Sequence, residues 1–266
     1  MRTLKMVLEY DGSAYHGWQV QPAGPTIQGT LETRLEAILG RPHRVHGAGR
    51  TDAGVHARAQ VAHVRTEHSM STEDLQRALN ATLPRDIAVL HIAEAPPGFH
   101  ARKSASGKQY AYYLVEGSLR SVFWDRYAWH VRRSLDLPAM ERAAARLVGT
   151  HDFSAFCATG CDIADRVRRI DRIEIFRLGD RLRRIEVAGD GFLRHMVRIL
   201  VGTLVDVGTG RTPEHGVESI LAGRDRRAAG RTAPAQGLFL ERVEYPAQED
   251  EKGREGPGTG SRGRTP

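Results

Sequence analysis

The chain has 266 residues and a formal net charge of +7, with 39 Lys and Arg against 32 Asp and Glu. That length buries a real core, as one large domain or two modest lobes. No apolar run approaches a signal or membrane-spanning segment, and two cysteines, Cys157 and Cys161, are too few for a disulfide framework. A cytoplasmic protein with reduced thiols is expected. No second Cys/His pair stands at ligand spacing, even with His151 nearby, so no metal site is expected. Lysine occurs only at Lys5, Lys103, Lys108 and Lys252, so the positive charge is almost wholly arginine. Genomic base composition accounts equally well for that ratio, but not for the net charge. A guanidinium-rich surface suits phosphate and carboxylate partners, because the planar fork binds two oxygens at once.

In chain order, the alternation of Leu4, Met6, Leu8 and Tyr10 predicts a first strand. A glycine- and aromatic-bearing loop, "DGSAYHGWQVQPAGP", follows it. Thr26 then opens a helix whose apolar stripe is Ile27, Leu31, Leu35 and Ile38, and Gly40 ends it. Strand-like "HRVHGAG" leads into a loop around Asp52, and "QVAHVRT" leaves it. A second helix starts at Ser71 or Thr72, carries Leu75, Leu79 and Leu83, and is closed by Pro84. Strands are predicted near Ile87 to Ala93 and Tyr110 to Val115.

Further along, a helix is predicted around Pro138 to Val148, then a hairpin turning at Gly179 and Asp180. Next comes a helix over "FLRHMVRILVGTLVDVG", with Leu193, Met196, Val197, Leu200 and Leu204 toward a core and Arg194 and Arg198 sharing another face. A short helix near Glu214 to Leu221 and a last strand, "GLFLERVEY", complete the fold. The alternation predicts an α+β architecture of two similar halves sharing a sheet, residues 1–105 and 106–246, and not a doubly wound parallel sheet. Residues 247–266 have four acids, four bases and no large apolar side chain, which predicts a disordered tail. Since the tail charges cancel, the net positive charge belongs to the folded body.

The stretch "GAGRTDAGVHAR", Gly47 to Arg58, isolates one carboxylate, Asp52, among glycines and arginines. A dinucleotide fingerprint fails, because its third glycine would fall at Asp52, and no phosphate-loop G-K-[ST] follows. A turn role for Asp52 accounts for these twelve residues taken alone. Paired-carboxylate and two-metal chemistry needs a second acid that the loop lacks. One ionised aspartate in a basic setting suits nucleophilic attack if an arginine aims it, with Arg50 and Arg198 as candidates. A solvated or phosphate-facing role is the plain alternative for either arginine. Tyr15, Trp18, Tyr110, Tyr112 and Tyr113 are candidates for stacking on unpaired bases or for core packing, with Tyr110 and Tyr112 on one strand face and Tyr113 on the other.

Seven blocks together resemble the tRNA pseudouridine synthase A family, in order: "YDGSAYHGWQVQP" with "TIQGTLE", "GAGRTDAGVHARAQVAHV", "LNATLPRDIAV", "FHARKSASGKQYAYYL", "HDFSAFC", "GFLRHMVRILVGTLVDVG" and "APAQGLFLERVEYP". The resemblance runs from residue 1 to about 246. It implies the pseudouridine synthase fold, with a mostly antiparallel sheet and a central active-site cleft. It implies a cofactor-free isomerase that acts as a homodimer on uridines 38, 39 and 40 of the tRNA anticodon arm. By the same resemblance Asp52 matches the catalytic aspartate, Tyr110 the active-site tyrosine, Arg198 the arginine of the M-V-R helix, and Arg50 the residue that displaces the target base. The carboxylate would add to the uracil ring, add to the sugar, or abstract a sugar proton, and the sequence does not choose. Two rival classes are an RNA-binding protein without turnover, opposed by Asp52, Tyr110 and Arg198 occurring together, and a metal-dependent ribonuclease, opposed by the missing carboxylate cluster.

Overall fold

The computed structural model describes residues 1–160 and 163–246, so the expected tail and Cys161 lie outside the described residues. Ten strands form a mixed, mostly antiparallel sheet. Strand β1 (Arg2–Tyr10) lies between β3 (His56–Thr66) and β4 (Ile87–Ala95), antiparallel to both. A short β2 (His46–Gly47) adds to β3. On the other side, β5 (Gly107–Glu116), β9 (Leu182–Gly189), β8 (Val167–Arg177) and β7 (Gly149–Asp152) follow one another in antiparallel order, and β6 (Trp129–Val131) runs parallel to β5. The last strand, β10 (Leu238–Glu244), closes the seam: it pairs parallel with β3 and antiparallel with β5.

The helices form where their caps are satisfied. Helix α1 (Ile27–Leu39) starts at Thr26, whose hydroxyl accepts from the Gly29 amide, and stops at Gly40 with φ 74°. Only glycine adopts that left-handed conformation without cost. Helix α2 (Thr72–Thr82) is capped by Ser71, with Leu83 just past its end. Helix α3 (Leu137–Ala145) is capped by Asp136 and ends three residues short of Val148, because the chain turns at Gly149 (φ 113°) into β7. Strands β6 and β7 are too short to give a two-residue period, and neither is legible in the sequence.

Helix α4 (Met196–Gly208) and α5 (Gly216–Gly223) follow. Residues 192–195, expected inside α4, precede it, since His195 has φ 61°, outside the right-handed helix region. Arg194 and Arg198 are therefore not neighbours on one helix face. One core cluster joins Leu4, Met6 and Leu8 to Leu31, Leu75, Tyr112, Met140 and Leu200. Tyr113 and Val115 belong to a second cluster, so β5 is buried on both sides.

Candidate active site

Asp52 sits in the connection between β2 and β3, and the surrounding glycines are consumed by close packing. A Cβ at Gly17 would stand 2.5 Å from the Thr51 carbonyl oxygen, and one at Gly47 would enter the Trp18 ring at 2.6 Å. Gly17 also has φ 88°. The opening loop thus lies directly against the Asp52 loop, fixed by the Trp18 amide donating to Thr51 O (3.0 Å) and the Gly54 amide to Tyr15 O (3.3 Å). Beneath them the Tyr10 hydroxyl meets Thr51 Oγ1 at 2.9 Å, and Gln60 Nε2 donates to the Gly49 carbonyl at 3.0 Å. Burial pushes the Tyr10 phenol up to about 12. The loop is rigid because its backbone is bonded on both sides, which is what an aimed carboxylate requires.

Arg198, in the first turn of α4, donates from Nη1 to Asp52 Oδ2 at 2.9 Å, and from Nε to the Ala233 carbonyl at 2.7 Å. Arg198 thus grips the carboxylate at one point, and another arm of its fork is spent on the backbone. The arrangement fixes the guanidinium plane through the main chain of residues 231–233. His195 Nε2 stands 3.5 Å from the same Oδ2. Among the described residues nothing donates to Oδ1, so one oxygen is anchored and the other is left without a donor. The side chains are partly screened from water, at 29% exposure for Asp52 and 14% for Arg198.

Tyr110 lies on β5, opposite Leu240 and Val187, with its ring edge-on to Phe192 at 5.2 Å between centroids. Burial, then the nearby Tyr10 and Asp52, pushes its phenol well above the ordinary tyrosine range. The shift favours the protonated phenol, which packs and donates its O–H. A Cβ on Gly49 would lie 3.9 Å from the Tyr110 hydroxyl and 3.4 Å from the Lys108 side chain, so Gly49 packs beside both. Burial lowers the Lys108 ammonium below its ordinary value. Arg50 is exposed and makes no ion pair among the described residues, so the structure brings Asp52 and Arg198 into contact and leaves Arg50 at the rim.

The sequence pattern of the family described as tRNA pseudouridine synthase matches residues 6–102 and 143–246. The tRNA pseudouridine synthase A of Moorella thermoacetica is 48% identical over 247 residues, 92% of this chain and 100% of its own. The chain belongs to this family. Its members from Syntrophotalea carbinolica and Geobacter sulfurreducens are 46% and 47% identical, over 94% and 92% of this chain and 98% and 100% of theirs. Among solved structures, a Cbf5–Nop10–Gar1 complex aligns at a TM-score of 0.38 and 12% identity, over 89% of this chain and 48% of that one, and adds nothing to the assignment.

As a tRNA pseudouridine synthase family member the chain is of an isomerase type, with the mostly antiparallel α+β fold expected. No helix among the described residues is long and apolar enough to cross a membrane. His195 is the site residue that sequence reasoning missed. Its signal was hidden because "FLRHMVR" reads as continuous helix, whereas the break at His195 turns the imidazole toward Asp52. Burial lowers the His195 imidazole from its ordinary value, with Arg198, Arg194 and Arg226 opposing its charge and Asp52 favouring it.

Proposed function

We propose that the chain isomerises uridine to pseudouridine at positions 38, 39 and 40 of the tRNA anticodon arm, with Asp52 as the nucleophile. The observation that supports this most is the half-engaged carboxylate, with Oδ2 held by Arg198 and approached by His195, and Oδ1 left open. A carboxylate anchored through one oxygen is aimed without being fully consumed. The reaction breaks the uridine N1–C1′ bond, turns the uracil and joins C5 to C1′. C5 then loses a proton and N1 gains one, so atoms and electrons balance without an oxidant. Adding to the ring, adding to C1′ and taking a sugar proton all call on the same open oxygen.

The target base must leave its stack to reach a residue set this far into a cleft. Tyr110 supplies a ring face edge-braced by Phe192, on which a flipped uracil packs. Arg50, at the rim, occupies the space that a displaced base vacates. Residues 1–105 and 106–246 act as the two walls, and the enzyme works as a cytoplasmic homodimer. Carbodiimide labelling with primer extension on unmodified tRNA tests the assignment: stops are expected immediately 3′ of 38, 39 and 40, dependent on the enzyme. Stops elsewhere would overturn the positions, and strand cleavage would replace isomerisation by hydrolysis. A single-chain mass in sedimentation would remove the dimer.

A further inference from the structure

Along α4 beyond Arg198 lies a cavity of about 340 Å³ that plays no part in the chemistry above. Arg132, Arg133, Arg211 and Arg231 line it, and no carboxylate does. Arg211 is partly neutralised by Asp206 at 3.2 Å. Among the described residues Arg132, Arg133 and Arg231 have no acidic partner. Arg231 is instead laid over the Trp129 ring, its guanidinium carbon 4.3 Å from the ring centroid. Stacking on an indole orders a guanidinium while leaving its N–H edge free to donate. Three uncompensated cations around one concave space favour a multiply acceptor-bearing anion.

The cavity is mechanically continuous with the candidate active site. Val205, in its wall, is seven residues after Arg198 on α4, which places both on one stripe of the helix about 10 Å apart. The segment that carries Arg231 runs alongside. Its residue 231 carbonyl abuts Gly202, where a Cβ would lie 1.8 Å away, and its residue 233 carbonyl receives the Arg198 Nε–H. A polyanion with its reacting unit at Asp52 that follows α4 reaches this cavity within a few units of its backbone, since the helix rises about 1.5 Å per residue.

We infer that the cavity lined by Arg231, Arg132 and Arg133 binds a phosphodiester of the RNA backbone flanking the reacting nucleotide, and so sets the register of the strand on α4. This inference rests on the isomerase reading of the Asp52 site. Its chemistry would also admit free inorganic phosphates, which the test separates. Trp129 is already covered by Arg231, so the cavity reads backbone and not base, and its contribution is independent of sequence.

The test measures Kd for unmodified tRNA by fluorescence anisotropy between 50 and 300 mM KCl, for wild type, Arg231→Gln, Arg133→Gln and the double variant. Arg77→Gln, on α2, is the control for simple loss of charge. The double variant is expected to bind roughly tenfold more weakly, with a salt slope smaller by about 0.7–0.9 per arginine removed. Arg231→Lys, which keeps the charge, should retain most of the affinity. Unchanged Kd and slope, or a loss no larger than in Arg77→Gln, overturns the inference. Calorimetric titration with pyrophosphate alone forms the second arm. Binding that Arg231→Gln abolishes while tRNA affinity stays intact would reassign the cavity to a free phosphate and overturn the RNA assignment. Pseudouridine formation by the wild type, measured in parallel, keeps the two failures apart: an active enzyme with indifferent arginine variants loses only the cavity, and an inactive one loses the isomerase reading.

Discussion

Arg198 bonds Asp52 Oδ2 and the Ala233 carbonyl from two separate nitrogens of one planar fork, a geometry that a lysine's single ammonium nitrogen does not reproduce. Arg198→Lys is expected to fold normally and to lose about a hundredfold in turnover, since a hydrogen bond to a charged group contributes about 1.5–3 kcal/mol. Steady-state kinetics check it, and wild-type turnover in Arg198→Lys would show that the pair is structural. His195 adds a pH dependence. Burial lowers its pKa from the ordinary histidine value, so the ring favours its neutral form and takes up a proton as pH falls on the acid side. An imidazolium beside Oδ2 draws electron density from the carboxylate, so turnover should decline on that side. His195→Asn, whose residue tolerates the left-handed backbone, should lose that acidic limb. A limb unmoved in His195→Asn would assign it to another group. The Asp52–Arg198 contact was legible as a family resemblance, and in physical terms only as an arginine at the polar edge of an apolar stripe. His195 was not legible, because a single residue at positive φ leaves no trace in hydrophobic spacing.

Elements were read well where a cap or a long period marked them. Thr26, Gly40 and Ser71 bound α1 and α2 as the sequence predicts, and Leu4 to Tyr10 alternate as a strand half-facing the core. The start of α4 was missed by four residues, since Leu193 is buried there without being helical. That short unwound approach is what separates Arg194 from Arg198. Gly202, inside α4, explains why an apolar helix tolerates a poor helix former: its missing Cβ is where the Arg231 carbonyl sits. By propensity alone Gly202→Ala would stabilise α4 by about 1 kcal/mol. The contact predicts the opposite sign, a loss on the order of 1–3 kcal/mol with turnover impaired, because the 231–233 segment that holds Arg198 must move. Urea denaturation decides it, and a more stable Gly202→Ala protein would refute the role given to that contact.

At the scale of the molecule, β10 is the element that turns two runs of strands into one sheet. It comes last in sequence and lies between β3, which follows the Asp52 loop, and β5, which carries Tyr110. Such a pairing joins residues far apart in the chain, and local pattern cannot reveal which strands become neighbours. The net positive charge, carried by arginine, was legible from composition, but its concentration into a cavity along α4 required the fold. The proposed isomerisation requires the Asp52 carboxylate. Tritium release from tRNA carrying 5-tritiated uridine measures this most directly, because the C5 hydrogen leaves only when C5 has bonded to C1′. Wild type should release tritium catalytically, and Asp52→Asn should release none while binding the same tRNA within a few-fold, amide and carboxylate being nearly isosteric. Tritium release by Asp52→Asn, or equal loss of binding and release, would contradict the account.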